Sequence, residues 1–273
     1  MTSILASAEE LTGGVCCGAS VAVPREASGC AMEAVRALVR RRVRDLTLIA
    51  VPQAGFQADL LIGAGCVRQV EAAAVTLGEH GSAPRFRAAV SAGTVEIRDS
   101  TCPAIHAGLQ AAEKGVPFMP MRGILGSDLA LHRDDWHTIE NPYGENDPIL
   151  LLPAITPDVS LFHAPRADRE GNVWVGVNRE LLTMAHASRE TLVTVEAISD
   201  ESLTSDVRLA AGTIPSLYVS AIAEAPRGAA PVGLPGYYDE DTSHLRRYAE
   251  LAQTEEGFDR YLAEQVIAAP APA

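Results

Sequence analysis

Between Val15 and Val51 the chain holds an apolar run, a helical pattern and a second apolar run in fewer than 40 positions. That spacing restricts the fold more than any other feature. Val15 to Val23 is short and apolar, with Gly18 and Pro24 near its end, and reads as a strand leading into a loop. Ser28-Gly29-Cys30 then precedes Met32, Val35, Leu38, Val39 and Val43, spaced by three and four as on one helix face. Leu46 to Val51 follows as a buried strand. So compact a crossover joins parallel strands and is right-handed. Arg40, Arg41, Arg42 and Arg44 close the helix, where solvated cations complement the dipole.

The alternation continues. Helices are predicted over Ala58 to Gly63, Pro84 to Ala92 (with Gly93 as its stop) and Ala104 to Lys114 (closed by Gly115). Strands are predicted over Val67 to Val75, Val95 to Arg98 and Val116 to Met121. Leu129 to Asp147 turns polar and reads as a long loop, a common place for function. Later strands fall at Ile149 to Pro153, Val159 to His163, Val173 to Val177 and Thr191 to Ala197, with a helix around Glu180 to Ala187. Pro226 to Tyr238 is irregular, and a terminal helix spans Leu245 to Val266. The expectation is an α/β fold: one domain over residues 1–267, with an open, mostly parallel sheet flanked by helices, then a disordered Ala/Pro tail at 268–273.

Composition narrows the function classes. A net charge of −13 argues against nucleic acid and gives no support for an anionic membrane surface. No apolar stretch approaches the 18 or so residues of a membrane span, and the N-terminus carries Glu9 and Glu10 where a signal peptide would be basic. A cytoplasmic protein is expected. The five cysteines are odd in number and match neither a disulfide framework nor a metal ligand set. Cys16 and Cys17 sit in an apolar run and read as buried thiols in a reducing compartment. Nicotinamide and nucleoside triphosphate fingerprints are missing; after the first strand the chain reads Cys17-Gly18-Ala19-Ser20.

The strongest candidate for binding is Arg122-Gly123-Ile124-Leu125-Gly126-Ser127-Asp128. It follows the Val116 to Met121 strand, and in an open α/β sheet such loops face the ligand crevice. Arg122, Gly123, Gly126, Ser127 and Asp128 offer a guanidinium, backbone N–H groups, a hydroxyl and a carboxylate. Arg122 suits bidentate pairing with a substrate carboxylate, or equally a salt bridge in the loop or across an interface. His163 ends an apolar strand and is either a polar group facing a crevice or a hydrogen-bonded structural histidine. Asp168, before Gly171-Asn172, reads as a turn former, and Cys102 as a packed thiol.

Taken in order, several segments carry a resemblance. They include Asp45-Leu46-Thr47, Leu61-Ile62-Gly63-Ala64-Gly65-Cys66-Val67, Arg85-Phe86-Arg87 and Gly115-Val116-Pro117-Phe118-Met119-Pro120. Gly126-Ser127-Asp128-Leu129, Ile139-Glu140-Asn141-Pro142-Tyr143, Asp158 to Ala164, Asp168 to Val173 and Gly236-Tyr237-Tyr238-Asp239 follow. Together, over about residues 45–260, they resemble the A (alpha) subunit of family I coenzyme A transferases, most closely the glutaconate type. The resemblance implies the CoA-transferase fold, a homologous B subunit in an (αβ)₂ heterotetramer, and CoA thioester as substrate with no tightly bound cofactor. It also implies ping-pong exchange between an acyl-CoA and a carboxylic acid through a glutamyl thioester, with the glutamate on the B subunit. Glu113 and Glu256 superficially mimic that nucleophile but fall at helix ends, so no catalytic residue is expected in this chain. One departure is the first loop, where relatives carry more glycines than Gly18 alone.

A rival of the same architecture hydrolyses carbon–carbon bonds in ring-derived CoA thioesters of steroid breakdown. Its alpha-type chain carries a glutamate just after the strand matching Val95 to Arg98, where this sequence reads Asp99-Ser100-Thr101-Cys102. A rival of another class is a non-catalytic ligand-binding module.

Overall fold

The computed structural model describes residues 2–268, so residues 269–273 of the expected Ala/Pro tail lie outside the described residues. In chain order the strands are β1 (Ser3–Leu5), β2 (Ser20–Pro24), β3 (Leu46–Val51), β4 (Gln53–Ala54) and β5 (Val67–Ala72). Next come β6 (Ala74–Val75), β7 (Glu96–Asp99), β8 (Phe118–Met121), β9 (His137–Glu140) and β10 (Pro148–Pro153). β11 (Val159–Asp168), β12 (Val173–Trp174), β13 (Glu190–Ser199), β14 (Thr213–Ile214) and β15 (Ala221–Glu224) complete the set. The main sheet follows the path β1-β15-β13-β11-β2-β3-β5-β7, and every neighbouring pair on it is parallel.

Helices cover both faces, as the buried strands require. Met32–Arg40, Phe56–Gly63 and the C-terminal Thr242–Leu251 and Glu255–Leu262 pack on one face, around Val21, Val23, Leu46 and Leu48. Cys102–Glu113 and Arg179–Ala187 pack on the other, around Ala22, Ile49, Val51 and Phe162.

The structure departs from expectation in several places. Val116 to Met121 and Ile149 to Pro153 do not extend the parallel sheet. As β8 and β10 they form, with β9, a separate antiparallel sheet in the order β8-β10-β9. The reason is local: Pro120 within β8 has no N–H for a central ladder, which confines such a strand to an edge. The polar stretch Leu129 to Asp147 is largely ordered as part of this flap, contributing the helix Asp128–His132 and β9, and only its end, residues 141–147, is the loop from β9 to β10. The flap packs through Trp136, Ile124, Leu150 and Leu152 onto Ala104 and Ala107 of the helix Cys102–Glu113.

Four charges fasten it to the sheet. Arg133 bonds Glu71 at 3.0 Å, Asp135 at 2.9 Å and the carbonyl of Asp99 at 2.8 Å, and stacks 4.4 Å over Trp136. Arg98 reaches Asp135 at 2.5 Å.

The strand expected from Val15 begins, as β2, only at Ser20, which leaves Cys16 and Cys17 exposed rather than buried. Arg40 is likewise not a solvated end: it lies between Glu9 and Glu33. The terminal helix is two helices broken at Ala252 to Thr254, because Thr254 caps the second by accepting from the Gly257 N–H at 3.1 Å.

One buried carboxylate ties the C-terminal helices to the parallel unit. Asp59 accepts from the Phe86 N–H and from the Tyr248 hydroxyl, each at 2.7 Å. Tyr248→Phe leaves a buried oxygen unpartnered, so the urea midpoint is expected to fall by the equivalent of about 1–3 kcal/mol with an unchanged slope. An unshifted midpoint would show that the bond contributes nothing.

Candidate functional site

β2, β3, β5 and β7 end side by side at Pro24, Val51, Ala72 and Asp99. Beyond them lies a hollow of about 420 Å³, walled by Glu26, Gln53, Phe56, Thr76, His80 and Glu240. Phe56 begins the helix Phe56–Gly63 and meets Tyr248 edge-on at 4.6 Å, so the core holds that wall. The Glu26 carboxyl accepts the Phe56 N–H. A Cβ on Gly55 would overlap both Glu26 Oε1 and the Thr76 carbonyl, so only glycine lets the three segments meet. His80 Nε2 lies 3.0 Å from Glu240 Oε1 and closes the far side.

Burial pushes the Glu26 pKa up to about 7; the N–H groups of Phe56 and Glu26 itself oppose this, and the Glu240 charge adds to it. A carboxyl poised near neutrality can accept or donate a proton at physiological pH.

Arg25 and Gln53 also border a second hollow of about 320 Å³, with Pro52, Cys102, His106 and Glu180. Glu180 accepts from the Ser28 hydroxyl at 2.5 Å and from Arg25 Nε at 3.3 Å. Burial raises its pKa, but Ser28 and Arg25 outweigh that and hold it below the usual range. Desolvation lowers the His106 pKa against the pull of Glu180, so its imidazole is neutral at pH 7. Cys102 is exposed in the first turn of its helix, contrary to the packed thiol expected; Thr101 caps that turn by accepting from the Ala104 N–H at 3.2 Å.

The loop singled out from sequence lies elsewhere. Because β8 belongs to the flap, Arg122 to Asp128 does not follow a strand of the main sheet. Arg122 forks onto Asp147 through Nε at 2.7 Å and Nη2 at 2.5 Å, with its side chain 64% exposed. Gly123 and Gly126 turn the chain, Gly126 with φ +76°, and the Ser127 hydroxyl donates to the Ile124 carbonyl at 2.7 Å. Asp128 opens the short helix that follows. These five residues therefore share one loop, whereas His163 has a different setting. Its ring is fully buried, with Nδ1 2.8 Å from the Thr194 hydroxyl and Nε2 2.8 Å from Glu196. Glu196 also accepts from the Tyr238 hydroxyl and the Arg227 N–H, each at 2.7 Å. In this chain His163 thus orients Glu196 and fixes the irregular Pro226 to Tyr238 segment. Asp168 is a turn former: Oδ1 accepts from the N–H groups of Glu170 and Asn172, and Oδ2 from Leu203.

Sequence reasoning missed Glu26, Gln53, His80 and Glu240. Glu26 stands two residues past the end of β2, a position that a search for loop carboxylates at strand ends would have flagged.

Comparison with known proteins fits this geometry. A family model for coenzyme A transferases matches residues 18–225. The chain belongs to the coenzyme A transferase family. It is 31% identical over 253 residues to the A-type subunit of glutaconate CoA-transferase of Acidaminococcus fermentans, covering 86% of this chain and 78% of that one. It is 30% identical over 241 residues to the IpdA subunit of a cholesterol ring-cleaving hydrolase of Rhodococcus jostii, covering 85% and 81%. An uncharacterized protein of Archaeoglobus fulgidus is 33% identical over 241 residues; the match covers 86% of this chain and only 52% of that longer protein. Among solved structures, glutaconate coenzyme A-transferase from A. fermentans superposes with a TM-score of 0.89 at 26% identity, covering 98% of this chain and 90% of that one. A cysteine-to-serine variant of the decarboxylase AibA/AibB superposes with a TM-score of 0.82 at 29% identity, covering 97% and 100%. The α/β fold with its mostly parallel sheet is thus that of glutaconate CoA-transferase.

Glu26 generates a prediction. The folded chain holds this proton more tightly than the unfolded chain, whose carboxyl titrates near 4.5. Its contribution to stability is therefore full below about 4.5 and is lost as pH rises through about 7. Glu26→Gln keeps the neutral shape, so thermal unfolding at pH 8 should show the variant more stable than the parent by on the order of 2 kcal/mol, with the two converging at pH 4. Parallel pH profiles would contradict the assignment.

Proposed function

We propose that this chain is the A (alpha) half of a cytoplasmic, heteromeric CoA transferase that moves CoA between an acyl-CoA thioester and a carboxylic acid. A homologous B subunit completes it, in an (αβ)₂ assembly. The observation that carries this reading is the likeness to glutaconate CoA-transferase over nearly the whole chain, together with a curated relative of the same alpha type. On this reading a glutamate of the partner attacks the thioester carbonyl, CoA thiolate leaves, and a mixed anhydride forms. The thiolate then attacks the glutamyl carbonyl, expelling the first acid and leaving a glutamyl-CoA thioester; the acceptor acid reverses the sequence.

The chain's own carboxylates support placing the nucleophile on the partner. Glu113 lies between Thr183 at 3.4 Å and His186 at 3.5 Å, and Glu256 sits exposed in a first helical turn. Glu26 is half-protonated near pH 7 and tied to a backbone N–H, which suits proton transfer better than attack. The loop of Arg122, Gly123, Gly126, Ser127 and Asp128 stands on the exposed flap. There the Arg122 guanidinium can exchange Asp147 for a substrate carboxylate held against the partner. The hollows beyond β2, β3 and β5 then form this chain's wall of a shared cleft.

Glu26 also favours a second reading, a CoA-ester hydrolase. Water-dependent cleavage needs a proton-transfer group near neutrality, and glutamyl exchange does not.

Borohydride reduction of the assembled complex after acyl-CoA addition separates the two. Transfer predicts a reduced glutamate on the partner, none on this chain, and turnover that needs an acceptor acid. Turnover without an acceptor, lost about 100-fold or more in Glu26→Gln, would establish the hydrolase instead.

A further inference from the structure

The second face of the main sheet is apolar where helices cover it, at Ala22, Ile49 and Val51. Along the same face the pattern turns polar. Ser20, Thr47 and Gln69 lie in one row across β2, β3 and β5, and Glu71 pairs with Arg98 of β7 in the next. A parallel sheet with apolar packing on both faces has no structural need for such a row. It borders a hollow of about 350 Å³ between the sheet and the flap, roofed by Trp136, Leu152 and Ile155.

Ser100 also lines this hollow. It is only 8% exposed, and its buried Oγ has no hydrogen-bond partner. Buried polar groups are almost always paired, so an orphan hydroxyl in the wall of a cavity points to a missing partner.

The charges around the hollow are already matched. Arg133 and Arg98 stand against Glu71 and Asp135, with Arg133 at 3.0 Å from Glu71 and Arg98 at 2.5 Å from Asp135. Two cations face two anions, leaving no free guanidinium for a carboxylate. What remains is neutral: hydroxyls, an amide and an apolar roof. The hollow also adjoins the cleft. The start of the helix Cys102–Glu113 separates them, with Ser100 and Ala104 lining one side and Cys102 and His106 the other.

We propose that the hollow beneath the flap takes the acyl group of the substrate, and that this group is short, uncharged and carries a hydroxyl or keto oxygen for Ser100. The inference rests on reading the chain as part of a CoA-thioester enzyme. Pockets of about 300 Å³ and above suffice for a small organic group.

Trp136 supplies the reporter, since Trp174 is the other tryptophan of the chain. The full chain with Trp174→Phe is titrated with the thioester S-(3-hydroxyhexanoyl)-N-acetylcysteamine, following indole fluorescence. A saturable change is expected. Ser100→Ala should weaken binding about tenfold while its unfolding midpoint holds or rises, because the variant removes an unpaired buried hydroxyl. A serine with a purely structural role would lose stability and leave affinity alone. The matched thioester ending in a carboxylate should bind at least about tenfold more weakly, because neither guanidinium lining the hollow, Arg98 or Arg133, is free to receive it. No fluorescence response, equal affinity for Ser100→Ala, or tighter binding of the carboxylate thioester would each overturn the proposal. The titration needs neither partner nor turnover, so its failure is distinct from a failed glutamyl trap.

Discussion

Because every neighbouring pair along the eight-strand path is parallel, those strands all end on one edge of the sheet, and the loops that follow them gather there. Glu26, Gln53 and Thr76 come together for that reason, although some 50 residues of chain separate the first from the last. The close approach is completed by Gly55, whose missing side chain leaves room for the Glu26 carboxyl against the helix start. The antiparallel flap departs from this direction, as the short off-path strands β12 and β14 also do, and it is fastened back onto the sheet by Glu71, Arg98, Arg133 and Asp135. Such a cluster adds little net stability over an apolar contact, but removing one member strands the others and costs about 3–5 kcal/mol. Its structural consequence is definite. It fixes the roof of the hollow that holds Ser100 and neutralises the charge there.

Two carboxyls in adjoining hollows are driven in opposite directions by their surroundings. Glu26 is raised by burial, while Glu180 is lowered because Ser28 and Arg25 outweigh burial. Pairs of titratable groups separated in this way mark places where proton transfer and fixed charge can be assigned to different residues. On the proposed half-site reading this chain supplies one wall of a cleft. On that reading its own residues decide what the wall can do, and a carboxyl held near neutrality by burial is the group suited to proton transfer there.

Much of the fold was legible. Leu46–Val51 and Pro84–Ala92 match their predicted spans, because a continuous apolar run and a proline start with a glycine stop are local signals. The flap was not, because periodicity gives a strand's existence and not its sheet. Pro120, the residue that excludes β8 from a central position, is visible in the sequence but sits inside the same apolar run as its neighbours. The hollows at the strand ends were not legible. The sequence singles out Arg122 to Asp128 as one loop, whose bond to Asp147 depends on the β8–β10 pairing. His163 had two readings, and its partners Thr194 and Glu196 lie 31 and 33 residues away, beyond any local pattern. Glu26 stands out in the sequence only by its place after a strand, because its perturbation comes from burial among segments distant in sequence.

The central claim is that this polypeptide provides half of a site and cannot act without the other half. Titrating the purified chain into a fixed amount of its B-type partner, with acyl-CoA and acceptor acid present, measures that directly. Negligible turnover is expected for either chain alone, with activity that rises linearly to saturation at one chain per partner. Enzymatic turnover by this chain in isolation would contradict the claim.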